Sequence, residues 1–234
     1  MIKQFFEYLY KEAEDTNREN IDKALSQIKK GKVLLDVGCW DGTYTLRWGK
    51  SYHAKTLLGL EIVPEAVKQA KKRGIKVIAQ DLSNNKWNIK DNSVDCVVSN
   101  LVIEHMSNVD NFISEAHRVL KKGGYTVVST NNLSSWHNII SILLGWKPFD
   151  MVNSSVKAWA IGNPLALHNN EALLIGPSYS HKCVYSIRWL KDWYALYGFK
   201  LVDVKGAGYY PLPAKIGNID KRHCAFMTLT FQKK

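Results

Sequence analysis

Val33-Leu-Leu-Asp-Val-Gly-Cys-Trp-Asp-Gly42 decides the fold. The apolar run Val33-Leu34-Leu35 leads into a turn that carries Gly38 and Gly42, and Thr43–Tyr52 then reads as a short helix. A buried strand, a glycine turn and a helix start therefore follow one another. Lacking Cβ, the two glycines let the backbone bend sharply and lie close to a ligand. Their spacing, G-x-x-x-G, is not the G-x-G-x-x-G of a nicotinamide dinucleotide site, and no lysine follows at the P-loop position. Asp36, just before the turn, puts negative charge where phosphates would sit. A cationic ligand suits such a turn better.

Three more apolar runs end on polar residues: Leu57-Leu-Gly-Leu-Glu-Ile62, Val77-Ile-Ala-Gln-Asp-Leu82 and Val94-Asp-Cys-Val-Val-Ser-Asn100, the last followed by Glu104-His105. Strands are expected to end near Val37, Leu60, Ala79 and Ser99. Those ends share one crevice, because doubly wound sheets bind ligands across the carboxyl ends of their strands. In this order and spacing the four blocks resemble the class I S-adenosyl-L-methionine (SAM)-dependent methyltransferases, of the methyltransferase type 11 kind, over roughly residues 30–130. SAM carries an ammonium and a sulfonium, in keeping with Asp36.

The resemblance implies an α/β, Rossmann-like, doubly wound, mostly parallel seven-stranded sheet, with an antiparallel edge hairpin and a helical insertion or lid after strand five. It implies SAM as cofactor and S-adenosyl-L-homocysteine as product. Asp36, Gly38, Cys39 and Gly42 would form the cofactor turn. Glu61, beside Ile62, would accept hydrogen bonds from the ribose diol. Asp81 would meet the adenine amino group, with the Leu82 backbone N–H as a further donor, and Asn100 would lie near methyl donor and acceptor.

Outward from these blocks, residues 2–29 read as helical with breaks, Phe5, Phe6 and Leu9 forming one apolar face and Ile21, Leu25 and Ile28 another. Residues 1–30 are expected to form a helical cap over the cleft, and 31–234 the methyltransferase domain. Asp22 and Lys29 read as solvated. Pro64 starts a helix that Gly74 stops. Val109–Leu120 carries apolar residues at helical spacing, and Lys121-Lys-Gly-Gly124 is expected to close it before strand five, Tyr125–Thr130. Ile187–Tyr197 reads as a helix, and Phe199–Val204 and Ala225–Phe231 as strands. The stretch between strand five and that helix exceeds ordinary loop lengths, so residues 131–185 are expected to form a structured insertion on the acceptor side.

The chain has 234 residues, 46% of them hydrophobic, enough for one domain's core. Its four cysteines, Cys39, Cys96, Cys183 and Cys224, include no C-x-x-C pair, which argues against a disulfide framework or zinc knuckle. The N-terminus does not read as a signal peptide and no apolar run is long enough to span a bilayer, so a cytoplasmic location is expected. The net charge of +11 is spread over lysine pairs at expected helix ends, where cations complement the helix dipole. With no RNA-binding appendage, nucleic acid is disfavoured as a partner. A monomer or homodimer is expected.

Acceptor specificity is expected in the insertion. Leu133–Trp146 is apolar almost all round if helical and must bury against the domain, a partner or a membrane surface. Trp136, Trp146 and Trp159 suit stacking on a ring or sugar face. Asn132-Leu-Ser-Ser-Trp-His-Asn138 and Gly208-Tyr-Tyr-Pro-Leu-Pro213 are similar to stretches of uncharacterised microbial methyltransferases. Methyl transfer to an acidic oxygen needs a positioned base. His181 is the first candidate and His137 the second. Glu104-His105 is similar to a Glu-His pair that, with another Glu three residues earlier, binds a divalent ion in ubiquinone-type O-methyltransferases. Leu101 stands at that position and cannot ligate, so no metal is expected. The expected function is methyl transfer from SAM to a small-molecule acceptor, an oxygen on a sugar, lipid-linked precursor or metabolite. The alternatives are an RNA or protein methyltransferase and a non-catalytic SAM-binding scaffold.

Overall fold

The computed structural model describes residues 2–83, 85–151, 161–166 and 180–234. Trp159 lies outside them. Strand β1 (Val33–Val37) pairs in parallel with β2 (Thr56–Glu61) on one side and β4 (Val94–Asn100) on the other. Strand β3 (Lys76–Ala79) extends the first side, and β5 (Leu120–Asn131) the second, both in parallel. Strand β7 (Phe226–Lys233) then runs antiparallel between β5 and β6 (Phe199–Ala207). The resulting order is β3-β2-β1-β4-β5-β7-β6, the mixed seven-stranded sheet expected. The chain turns one way after β1 and the other at β4, so the crevice opens at the carboxyl ends of β1 and β4.

The apolar runs are continuous because both faces of the sheet are covered. Leu34, Cys96, Val98 and Val127 face one way, against Trp48 and Tyr52 of α2 (Thr43–Tyr52) and Ile21 and Leu25 of α1 (Ile2–Gln27). Leu35, Val37, Val97 and Val128 face the other, against Phe112 and Ile113 of α4 (Val109–Val119) and Leu190 and Tyr194 of α6 (Ile187–Leu196). Helix α3 (Pro64–Lys72) packs Val67 and Ala70 with Val77 and Ile75.

Three local expectations are corrected. Helix α1 runs unbroken, and Asp22 on it is not merely solvated: it accepts from Arg47 Nε at 2.6 Å and the Ser51 hydroxyl at 2.7 Å, tying α1 to α2. Helix α4 has no glycine cap. Leu120 is already extended and opens β5, and Gly123-Gly124 fall in a bulge, since the register jumps from Val94–Leu120 to Cys96–Tyr125. Helix α5 (Trp136–Leu143) does not bury its apolar side against the domain, so of the three expected burial partners only that one is overturned. Asn138 and Ser141 point inward, while Ile140, Ile142 and Leu143 are exposed. The physical reason is polar: Asn138 donates to Asn132 O at 3.0 Å and to Asp150 at 2.8 Å, and accepts from Phe149 N–H at 2.8 Å.

Candidate active site

On the cofactor side, Gly38 and Gly42 have φ of 76° and 82°, which L side chains rarely adopt. A Cβ on Gly38 would lie 2.5 Å from Val102 Cγ2. The Gly38 and Cys39 amides donate to Leu60 O at 2.8 and 3.1 Å, fastening the turn to the end of β2. Glu61 completes that join. Its buried carboxylate accepts Trp40 N–H at 2.9 Å, Ile62 N–H at 2.7 Å and Val63 N–H at 2.9 Å. An ionised carboxylate has about four acceptor sites, so capacity remains for a hydroxyl.

Asp36 is 1% exposed. One oxygen accepts the Thr45 hydroxyl at 2.5 Å, and among the described residues Oδ1 has no partner. Burial pushes its pKa up to about 7, against the lowering by Thr45. Asp81 is exposed and accepts Ser83 N–H at 2.9 Å, bending the loop after β3, while Leu82 is buried and its carbonyl accepts from Asn111 at 3.2 Å. The Asn100 side chain accepts from Asn17 Nδ2 of α1 at 3.0 Å, and Asn17 Oδ1 accepts the hydroxyls of Ser129 and Thr228 at 2.8 and 3.0 Å. One asparagine on the first helix therefore pins the ends of β4 and β5 and the start of β7.

Beyond the ends of β4 and β5 lies a second cluster. Glu104, in a short 3-10 turn (Ile103–His105), is fully buried. Its Oε2 accepts the Thr130 hydroxyl at 2.9 Å, its Oε1 has no partner among the described residues, and burial raises its pKa. Burial, with the nearby His181, pulls the His105 pKa down to about 4. His181 Nδ1 donates to Asp150 O at 2.6 Å. His137 Nε2 faces Asp150 Oδ2 at 3.4 Å, and Asn131 and Asn138 each donate to that carboxylate at 2.8 Å. Burial alone would raise the Asp150 pKa, but His137 and Asn138 outweigh it and hold it below the usual range. The Tyr210 ring lies 5.2 Å from that of His137, and its buried hydroxyl has no partner among the described residues. Burial, then Glu14, Asp150 and Glu104, raise the Tyr10 pKa, which places α1 beside this cluster.

The fold thus gathers the expected His137 and His181 around one residue, Asp150, that sequence reasoning missed. Asn17 and Thr45 were missed too. Nothing in the sequence singled out Asp150, since the 131–185 insertion also carries Glu171, Lys147, Lys157 and Lys182.

Residues 35–128 match the family described as "Methyltransferase domain". Over this stretch the chain carries a methyltransferase domain, and its fold is that of SAM-dependent methyltransferases. An uncharacterised Methanocaldococcus jannaschii protein is 34% identical over 122 residues, 51% of this chain and 54% of that one. The mitochondrial ubiquinone biosynthesis O-methyltransferase of Rattus norvegicus is 26% identical over 155 residues, 61% of this chain and 44% of that one. The chain thus spans about half the length of these curated relatives. A Thermotoga maritima SAM-dependent methyltransferase shares the fold at a TM-score of 0.59 and 18% identity, covering 98% of this chain and 94% of that one. The methyltransferase of a Haloferax volcanii complex with the activator Trm112 does so at a TM-score of 0.61 and 13% identity, covering 97% and 95%.

SAM is the methyl donor of this family, and the residues fit it. A buried carboxylate with an unsatisfied oxygen, Asp36, suits a cation, and Glu61 retains acceptor capacity at the end of β2. Among the described residues no helix is long and apolar enough to cross a membrane.

Proposed function

We propose that this methyltransferase moves a methyl group from SAM to an oxygen of a small-molecule acceptor held beyond the ends of β4 and β5, between α1 and the 131–185 insertion. SAM supplies an electrophilic methyl on a sulfonium. The chain's part is alignment, exclusion of water and removal of the acceptor's proton. Asp36, Gly38, Cys39, Gly42, Glu61, Ile62, Asp81, Leu82 and Asn100 are assigned to the cofactor.

The observation that carries the acceptor side is the His137–Asp150 pair at 3.4 Å. Nε2 also lies 3.2 Å from the Ser135 hydroxyl, which can donate or accept; with the Nε2 proton given to the Asp150 carboxylate, Nδ1 is the basic nitrogen. Asp150, itself fixed by two amides, orients the ring and stabilises the imidazolium once the proton arrives. Among the described residues His181 hydrogen-bonds only to a carbonyl, through Nδ1. His137 is therefore the better base, which reverses the order expected from sequence. The buried Tyr210 hydroxyl, without a hydrogen-bond partner among the described residues, supports a role in orienting the acceptor.

Ubiquinone and demethylmenaquinone methyltransferases and a malonyl-[acyl-carrier protein] O-methyltransferase stand among the relatives, which favours a small or carrier-linked acceptor. Incubation with methyl-labelled SAM and a cell extract, followed by separation into lipid, glycan, small-molecule, RNA and protein fractions, tests the reading. Label in lipid, glycan or small-molecule fractions supports it. Label in RNA or protein favours the alternative acceptors, and none in any fraction favours a scaffold.

A further inference from the structure

We propose that Glu104, His105 and His181 bind a divalent transition-metal ion, with zinc the best match. Sequence alone argues against a metal, because Leu101 stands where a carboxylate would complete the Glu104-His105 pair. The fold brings another ligand instead: His181, 76 residues beyond His105 in the chain. One donor atom from each of the three residues lies within 4.8 Å of the other two.

Two independent observations point to a cation here. The first is Glu104. It is fully buried, Oε2 holds the Thr130 hydroxyl, and among the described residues Oε1 has no hydrogen-bond partner. Buried carboxylate oxygens are rarely left unsatisfied, because doing so forfeits their hydration without return. A metal ion is a partner that would satisfy it.

The second is the orientation of the two imidazoles. His105 Nδ1 faces Ser180 O at 3.3 Å, and His181 Nδ1 faces Asp150 O at 2.6 Å. A carbonyl oxygen only accepts, so Nδ1 carries the proton in both rings and the lone pair sits on Nε2. Metal-binding histidines are oriented in this way, by an N–H given to a carbonyl or carboxylate on the far side of the ring. The ring centroids are 4.8 Å apart at 71°.

Two imidazoles and one carboxylate form a donor set that suits zinc and leaves one position open. Magnesium and calcium prefer sets made of oxygen. Zinc–nitrogen and zinc–oxygen bonds of about 2.0–2.2 Å put tetrahedral ligands roughly 3.4 Å apart, so binding would draw the three side chains together by about 1 Å. The open position would take an oxygen of the acceptor. His181 is then a ligand, and proton transfer stays with His137.

The test uses the full chain, stripped with a chelator, reloaded with zinc and freed of excess metal. The expected result is about one zinc ion per chain. Cobalt(II) in its place should show the intense visible absorption of a four-coordinate site. His105→Ala and His181→Ala should each weaken zinc binding roughly 100-fold, a loss on the scale seen when a metal site's supports are removed. The SAM affinity and melting temperature of the metal-free His181→Ala chain serve as the folding control, and the milder His181→Gln variant replaces it if that chain does not fold. Zinc retention no greater in the wild type than in the double His105→Ala/His181→Ala variant would overturn the proposal, as would a cobalt spectrum like that of the aqua ion. The readout is metal on protein, so failure here leaves the methyltransferase reading standing, and failure of methyl transfer leaves the metal result intact.

Discussion

Glu61 is assigned two tasks at once, and Glu61→Ala separates them. Its carboxylate accepts three backbone amides, from Trp40, Ile62 and Val63, at 2.7–2.9 Å, with the residue 6% exposed. A hydrogen bond to a charged group contributes about 1.5–3 kcal/mol. The three are not additive, and water enters the space that truncation leaves, so a total of about 2–4 kcal/mol is expected rather than the sum. For a chain of this size that lowers the melting temperature by roughly 4–16 °C. SAM affinity should fall by a further 1–3 kcal/mol or so, about 5- to 150-fold, if the remaining acceptor capacity meets the ribose. Glu61→Gln keeps the volume and one acceptor oxygen but points an amide at a backbone N–H, so it should fall between wild type and alanine in both measurements. Thermal unfolding of the free chain and calorimetric titration with SAM are run on the same samples. Unchanged SAM affinity in Glu61→Ala refutes the ribose role. An unchanged melting temperature refutes the structural one.

Asp36, with a pKa of about 7, holds its proton in the folded chain to a higher pH than in the unfolded chain, where a carboxyl loses it near 4. Its contribution to stability is thus fullest below about pH 4 and is lost as pH rises toward 7. A SAM cation favours the ionised form, so SAM affinity should rise with pH and level off above about 7, with proton release visible in buffers of different ionisation enthalpy. Asp36→Asn should abolish that pH dependence. Asn17→Ala leaves Asn100, Ser129 and Thr228 without their shared partner and should destabilise the fold by about 2–4 kcal/mol, read by chemical denaturation. Gly38→Ala forces a side chain to φ 76° against Val102, and should cost about 1–2 kcal/mol of stability as well as SAM affinity.

The parallel half of the sheet was legible because burial on both faces writes each strand as an unbroken apolar run, and because β1 and β2 end on glycine or an acid where the crevice opens. The edge strands were legible as well, though β6 and β7 begin or end a few residues away from their expected limits. The Gly123-Gly124 pair misled for a local reason: glycine permits a bulge as readily as a helix cap, and nothing in the sequence separates them. Helix α5 misled for a tertiary one. Its inward face is polar because Asp150 and the strand-end carbonyl of Asn132 need donors, and that need is set by residues up to 12 positions away in the chain. The long-range groups were the least legible. Asn17 serves partners 83, 112 and 211 residues away, and His181 reaches Glu104 and His105 only once α6 has docked beside α4. Spacing within a motif carries no trace of such meetings.

A crystal structure of the chain grown with S-adenosyl-L-homocysteine tests the central claim most directly. The account predicts the nucleoside over the carboxyl ends of β1 and β2, its ribose on Glu61 and its amino group toward Asp36. The same crystals showing that crevice closed by protein side chains, or the nucleoside bound elsewhere, would contradict it.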